Sequence, residues 1–200
     1  MSDVLAFLET LPPGPLYGLI TALAAVENIF PPVPADTAVA LGAFLAGRGT
    51  MNAWAVFGLT WGANVTTAAA VYALARRYGR GFFQSRLGRK LMPEGALAHI
   101  ERQYDRHGTY GIFLSRLLPV WRAVVPPFAG VAGLSAVRTL VPLALASALW
   151  YGALTFLVAT LGTNLDAVLA AVGHVNRVLG LVALGAVIFL GVWTWRRLKR

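Results

Sequence analysis

Apolar residues gather into long runs, broken by short proline- or glycine-rich interruptions and by one hydrophilic stretch in the middle of the chain. Leu11-Pro12-Pro13-Gly14-Pro15 is rigid and poorly helical, and it leads into a helix over residues 16–29 with Glu27 near its end. Phe30-Pro31-Pro32-Val33-Pro34 interrupts that helix, and Ala35 to Ala46 is apolar again before Gly47-Arg48-Gly49. About 15 residues are too few for a crossing plus its turn, so residues 30–47 predict a re-entrant hairpin. Trp54 to Ala75 predicts a transmembrane helix anchored by Arg76-Arg77-Tyr78, with Gly58 and Gly62 spaced for close helix approach.

Gly81 to His107 is hydrophilic, and Phe82, Phe83, Leu87 and Leu91 alternate there with basic residues. The stretch 76–108 predicts an amphipathic connector lying on a membrane surface. Residues 110–133 are apolar again but hold Pro119, Pro126 and Pro127, which predict a second broken hairpin. Leu140 to Leu161 predicts a transmembrane helix, 162–176 a short polar loop, and Val178 to Trp195 a last span with an interfacial belt at Trp193 and Trp195.

Composition agrees. The 200 residues are 58% hydrophobic and 12% charged, where a soluble domain is nearer half apolar and a quarter charged. The +9 net charge of a soluble chain would suggest nucleic acid, but placement argues against that partner. Of 17 Lys and Arg, eight lie between Arg76 and Arg106 and four in Arg196-Arg197-Leu198-Lys199-Arg200. Such clustering puts the connector and the C-terminus in the cytoplasm by the positive-inside rule. An even number of crossings must then separate them. Two helices supply it, so 110–133 enters and leaves on one side, and the same parity puts the N-terminus in the cytoplasm. With no basic residue before the first apolar run, that helix is expected to be retained rather than cleaved as a signal peptide.

The expected fold is an all-α polytopic membrane protein, one membrane domain over 1–200. Its first half, 1–75, and second half, 109–200, each contain a Pro-broken re-entrant hairpin, and flanking transmembrane helices suggest an inverted repeat. Broken segments in corresponding places of two halves point to a binding site where the halves meet.

The chemistry of the two interruptions is opposite. The first carries acids, Glu27 and Asp36, beside Pro31, Pro32 and Pro34; the second carries Arg116 and Arg122 around Pro119. A central arginine costs roughly 2.5–3.5 kcal/mol in a membrane, and acids and bases offset that penalty when they meet. The hairpins are therefore expected to face each other. On an unbroken helix residues six apart point about 240° apart, so a break at Pro119 is needed to turn both guanidiniums into one cavity. Paired arginines clamp a phosphate or carboxylate by bidentate hydrogen bonds. Desolvation favours a neutral carboxyl and a nearby arginine favours a charged one, and that competition lets such a site exchange a proton against an anion.

Other chemistry is weaker. The chain has no cysteine. His99, His107 and His174 have no ligand spacing, and no Gly-x-Ser-x-Gly, Walker loop or metal cluster occurs, so no cofactor, metal or enzymatic role is expected. Ser115-Arg116 is similar to a pair found in membrane lipid phosphatases, but no histidine lies nearby to attack and protonate. Asn64, Thr66 and Thr67 suit either a cavity lining or inter-helix hydrogen bonds.

Two stretches resemble the DedA family, whose shared region is also called the VTT or SNARE-associated domain. One is Glu27 with Pro31-Pro32-Val33-Pro34-Ala35-Asp36 and Ala43-Phe44-Leu45-Ala46-Gly47; the other is Phe113-Leu114-Ser115-Arg116-Leu117-Leu118-Pro119-Val120-Trp121-Arg122 with Pro126 and Ala129-Gly130. Tyr72 to Gly79, Trp150 and Gly162 extend the likeness over residues 25–165. Departures are Ala35 and Ala75 where the family has glycine, and small or hydroxyl residues at 66–70 where it often has Gly-Asp.

The resemblance implies lipid translocation across the cytoplasmic membrane. Its family members are associated with undecaprenyl phosphate recycling, phosphatidylethanolamine movement and dependence on the proton-motive force. It also implies that Arg116 and Arg122 hold the phosphate, while Glu27 and Asp36 couple protons. The alternatives are a phosphatidylethanolamine scramblase, a proton-driven small-solute antiporter and a non-transporting membrane scaffold.

Overall fold

A computed structural model describes residues 12–30, 33, 35–84, 108, 110–118, 121–162 and 164–198. All regular structure among them is helical. The helices are α1 Pro13–Val26, α2 Ala35–Gly47, α3 Ala53–Gln84, α4 over 110–116, α5 Trp121–Val131, α6 Ala136–Leu161 and α7 Leu165–Leu198. Among the described residues, two stretches are long and apolar enough to cross a membrane: Ala136–Leu161, with mean hydropathy 1.8, and Leu165–Val182, with 1.5. Helix α3 is long enough at 32 residues, but Thr60, Asn64, Thr66 and Thr67 dilute its apolar character.

Proline sits at the start of α1, where its missing N–H leaves nothing unpaired. Leu16, Ile20 and Ala24, one turn apart, form the buried stripe of that helix. The chain then turns through Glu27, Asn28 and Ile29. Helix α2 is buried on most of its surface, including Asp36 at its first turn.

The short helices α2 and α5 end in the same way. In each, a left-handed glycine (Gly49 at φ 83°, Gly133 at φ 71°) closes paired capping bonds. Gly49 N donates to Ala46 O and Thr50 N to Leu45 O; Gly133 N donates to Gly130 O and Leu134 N to Ala129 O. A long helix follows each, α3 after α2 and α6 after α5.

Packing crosses between these units: α2 lies on α6, and α5 lies on α3. Both approaches bring backbones together at glycine. A Cβ on Gly47 would strike the Ala159 carbonyl, and one on Gly130 would strike the Tyr72 carbonyl and come within 2.9 Å of Arg76 N. Leu16, Ile20, Val39, Leu45, Met51, Val56 and Tyr151 form the larger core cluster; Ala68, Ile112 and Leu143 form a smaller one.

Several expectations need correction. Gly58 and Gly62 meet no neighbour, so close approach occurs at other glycines. The polar loop expected over 162–176 is helical from Leu165, because Asn164 caps α7 by accepting from Asp166 N and Ala167 N at 2.9 and 3.3 Å. Helix α3 runs past the expected end at Ala75. Pro126 and Pro127 do not break the second hairpin; they lie inside α5. Residues 31, 32, 34, 85–107 and 119 are outside the described residues, and with them Pro31, Pro32, Pro34, Pro119, His99 and His107.

Candidate functional site

Glu27 follows the end of α1, Asp36 opens α2, Arg116 closes α4 and Arg122 opens α5. Each therefore stands at a helix end bordering one of the two interruptions. The helix stops at Arg116, turns at Leu117 and Leu118, and restarts at Trp121, which lets side chains six residues apart enter one cluster. All four are 3–6% exposed.

Arg122 Nη1 donates to Glu27 Oε1 and to Asp36 Oδ1, both at 2.9 Å. Its guanidinium carbon lies 5.1 Å from the centre of the Trp150 ring. Glu27 Oε2 accepts from Tyr151 Oη at 2.6 Å and Asn64 Nδ2 at 3.4 Å. Asp36 Oδ1 also accepts from Trp150 Nε1 at 2.9 Å, and Oδ2 from Asn176 Nδ2 at 3.0 Å.

Among the described residues, Arg116 hydrogen-bonds to no carboxylate. Its Nε donates to Ser147 Oγ at 3.0 Å and its Nη1 to Asn28 Oδ1 at 2.9 Å. Nη1 also donates to the Arg122 carbonyl, and Nη2 to Asn64 Oδ1. The prolines of α5 explain one of these bonds. Pro126 has no N–H to give the carbonyl four residues back, which is Arg122 O, and that oxygen is open to Arg116. A residue expected to break the helix instead supplies an acceptor to the site.

Asn64 ties the cluster together. Its Nδ2 donates to Ala24 O at 3.1 Å and Tyr151 Oη at 3.0 Å, and its own carbonyl accepts from Asn28 Nδ2 at 2.8 Å. Asn28, Ser147, Tyr151 and Asn176 were not singled out from sequence. Isolated polar residues on apolar helices look alike until packing shows which face inward. Thr67 accepts from Asn28 Nδ2 at 2.9 Å, while His174 lies exposed.

Two acids and two arginines make this a balanced buried cluster, with both ion pairs on Arg122, but not a fully satisfied one. Arg122 Nε and Nη2 are buried and have no hydrogen-bond partner among the described residues. Asn64, Arg116, Arg122, Ser147, Trp150 and Tyr151 line a cavity of about 10 Å³, room for about one water molecule. Among the described residues, no group of three or more His, Cys, Asp or Glu could hold a metal.

Comparison with known proteins gives the chain's family. The chain is 28% identical over 161 residues to an uncharacterized membrane protein of Mycobacterium tuberculosis, covering 78% of this chain and 73% of that one. It is 30% identical over 164 residues to an uncharacterized membrane protein of Mycobacterium leprae, covering 78% and 75%. An alkaline phosphatase-like protein of Lactococcus lactis is 25% identical over 182 residues, covering 86% and 83%. No solved structure matches. The VTT domain model matches residues 33–160, which hold Asp36, Asn64, both arginines, Ser147, Trp150 and Tyr151, and the chain therefore belongs to the VTT domain, or DedA, family of membrane proteins.

Proposed function

We propose that the protein is a transporter that moves an anionic, phosphate-bearing lipid, undecaprenyl phosphate the leading candidate, across the cytoplasmic membrane with proton coupling. The observation that carries this reading is Arg122, a buried cation with two carboxylates on Nη1 and with Nε and Nη2 unpartnered. Nε and Nη2 form the edge of a guanidinium that takes two oxygens of one phosphate side by side. As built, the cluster sums to neutrality: Glu27 and Asp36 against Arg116 and Arg122. A phosphate entering it adds negative charge in a place without bulk water, and proton uptake by Glu27 or Asp36 restores the balance.

The scaffold suits alternating access. Units α1–α3 and α4–α6 share the order helix, break, short helix, left-handed glycine and long helix, and each short helix packs on the other unit's long helix. We read them as an inverted repeat with two re-entrant hairpins whose breaks meet at the site. An enzymatic reading has less support. Ser115 donates its hydroxyl to its own helix at Ile112 O, 2.8 Å away.

Reconstitution tests the assignment. Purified protein is placed in vesicles containing labelled undecaprenyl phosphate or labelled phosphatidylethanolamine, with and without an imposed pH gradient. The phosphate-bearing lipid is expected to cross faster, to respond to the gradient and to stop crossing in Arg122→Lys, which keeps the charge but loses the fork. Equal movement of both lipids would indicate a scramblase, and undiminished transport by Arg122→Lys would remove Arg122 from the mechanism. Head-group-independent solute flux would indicate an antiporter, and no transport at all a scaffold.

A further inference from the structure

We infer that α7 is a movable cover over the Asp36 side of the buried site and that Asn176 is the residue that latches it. Three observations lead there. First, the cavity beside Arg122, of about 10 Å³, is lined from α3, α4, α5 and α6, which leaves the Asp36 carboxylate, paired with Arg122, as the side of the site that α7 reaches.

Second, the other walls are fastened backbone to backbone or through Asn64. Gly47 seats α2 on α6, Gly130 seats α5 on α3, and Asn64 holds α1 through Ala24 O. Among its described residues, α7 has no such fastening. A Cβ on Gly173, Gly180 or Gly185 would meet nothing within 4 Å. Only 6% of the stretch 165–182 is buried, against 33% of the α6 span. Although Asn164 starts it just after α6 ends, α7 packs chiefly on α2. Leu165 and Val172 are its buried apolar contacts, and Asn176 lies one further turn along the same face.

Third, Asn176 reaches the site itself. Its Nδ2 donates at 3.0 Å to Asp36 Oδ2, while its Oδ1 is buried without a partner among the described residues. Helix α7 also lies beyond the matched family region, which ends at residue 160. A hydrogen bond to a carboxylate is among the stronger neutral-donor contacts, yet a single one can be broken and remade. Asn176 thus acts through Asp36: while the bond holds, α7 covers the acid, and when Asp36 changes partner, α7 is free to swing. The latch uses the transport reading only for what passes the gate.

Because the chain has no cysteine, a single introduced thiol reports on opening. Val172→Cys, in the full chain in membrane vesicles, is expected to react slowly with a membrane-permeant maleimide. Adding Asn176→Leu, which keeps bulk and loses the donor, should speed that reaction on the order of tenfold, and Asn176→Gln should restore part of the protection. Leu165→Cys is a second reporter should Val172→Cys fold poorly. Ala68→Cys, fully buried in the other core cluster, is the control and should not change. Unchanged labelling on α7 would overturn the latch, as would an equal rise at Ala68→Cys, which signals general loosening. The readout needs no lipid transport, so a true latch on a protein that moves no lipid would refute the proposed function alone.

Discussion

Arg116 and Arg122 sit six residues apart in one buried cluster, yet their surroundings differ in kind. Arg116 is bound by neutral acceptors on four sides: Ser147, Asn28, Asn64 and the Arg122 carbonyl. Arg122 concentrates two carboxylates on one nitrogen and leaves two nitrogens without hydrogen-bond partners among the described residues. An arginine with all three nitrogens partnered behaves as a brace that fixes α4 against α3, α6 and the turn after α1. An unsaturated one, with its charge already shared, is suited to exchanging partners. The lesson is that paired basic residues in a motif need not share a task; the acceptors around each decide it.

The comparison breaks most readily at Arg122. Arg122→Ala removes the ion-pair partner of both Glu27 and Asp36 and leaves Arg116 alone against two acids, and is expected to cost about 3–5 kcal/mol. Chemical unfolding in detergent micelles would measure it. Arg116→Leu should follow at about 3 kcal/mol, because it strands the buried acceptors of Asn28 and Asn64.

The lysine variants separate brace from carrier. Arg116→Lys keeps a donor for part of its neutral ring and should retain measurable lipid movement, whereas Arg122→Lys should not. Equal loss in both would show that the two arginines are functionally equivalent.

Gly130→Ala probes the scaffold under both residues. Its methyl group meets the Tyr72 carbonyl, so α5 must shift on α3, at about 1–3 kcal/mol and with Arg122 displaced. The smallest effects concern the brace alone. Ser147→Ala, which removes one acceptor from Arg116 Nε, should cost about 1 kcal/mol with transport largely kept. Pro126→Ala restores an N–H that competes for the Arg122 carbonyl, so it should be about 1 kcal/mol less stabilising than Pro127→Ala. Thermal unfolding of the two variants side by side would show whether that carbonyl matters.

Much of the site was legible because charge is rare in this chain. Only 12% of residues are charged, so Glu27, Asp36, Arg116 and Arg122 stand out against apolar flanks, and mutual neutralisation predicts that they meet. Asn28, Asn64, Ser147, Tyr151 and Asn176 carry no such contrast. A polar neutral residue on an apolar helix is equally consistent with lipid-side, packed or site-facing positions until the neighbouring helix is placed. Prolines misled for a related reason. Pro126 and Pro127 disfavour helix by intrinsic propensity, but α5 accommodates them, and one freed carbonyl is paired with Arg116. Gly58 and Gly62 had the spacing for close approach without the contact, while Gly47 and Gly130 had the contact without the spacing.

The residues alone determined that the chain is helical and membrane-bound, that it is interrupted in two places, and that those interruptions bear opposite charge. Hydrophobic run length and the rarity of charge are properties of the linear chain, and they need no knowledge of neighbours. Tertiary structure decided which donors and acceptors are spent. Every nitrogen of Arg116 has a partner and, among the described residues, two of Arg122 have none, because the turn after α1, α3 and α6 bring Asn28, Asn64 and Ser147 to one guanidinium and not to the other. Hydrogen-bond satisfaction depends on three-dimensional proximity between residues up to 140 positions apart, as between Asp36 and Asn176, and no local pattern encodes it.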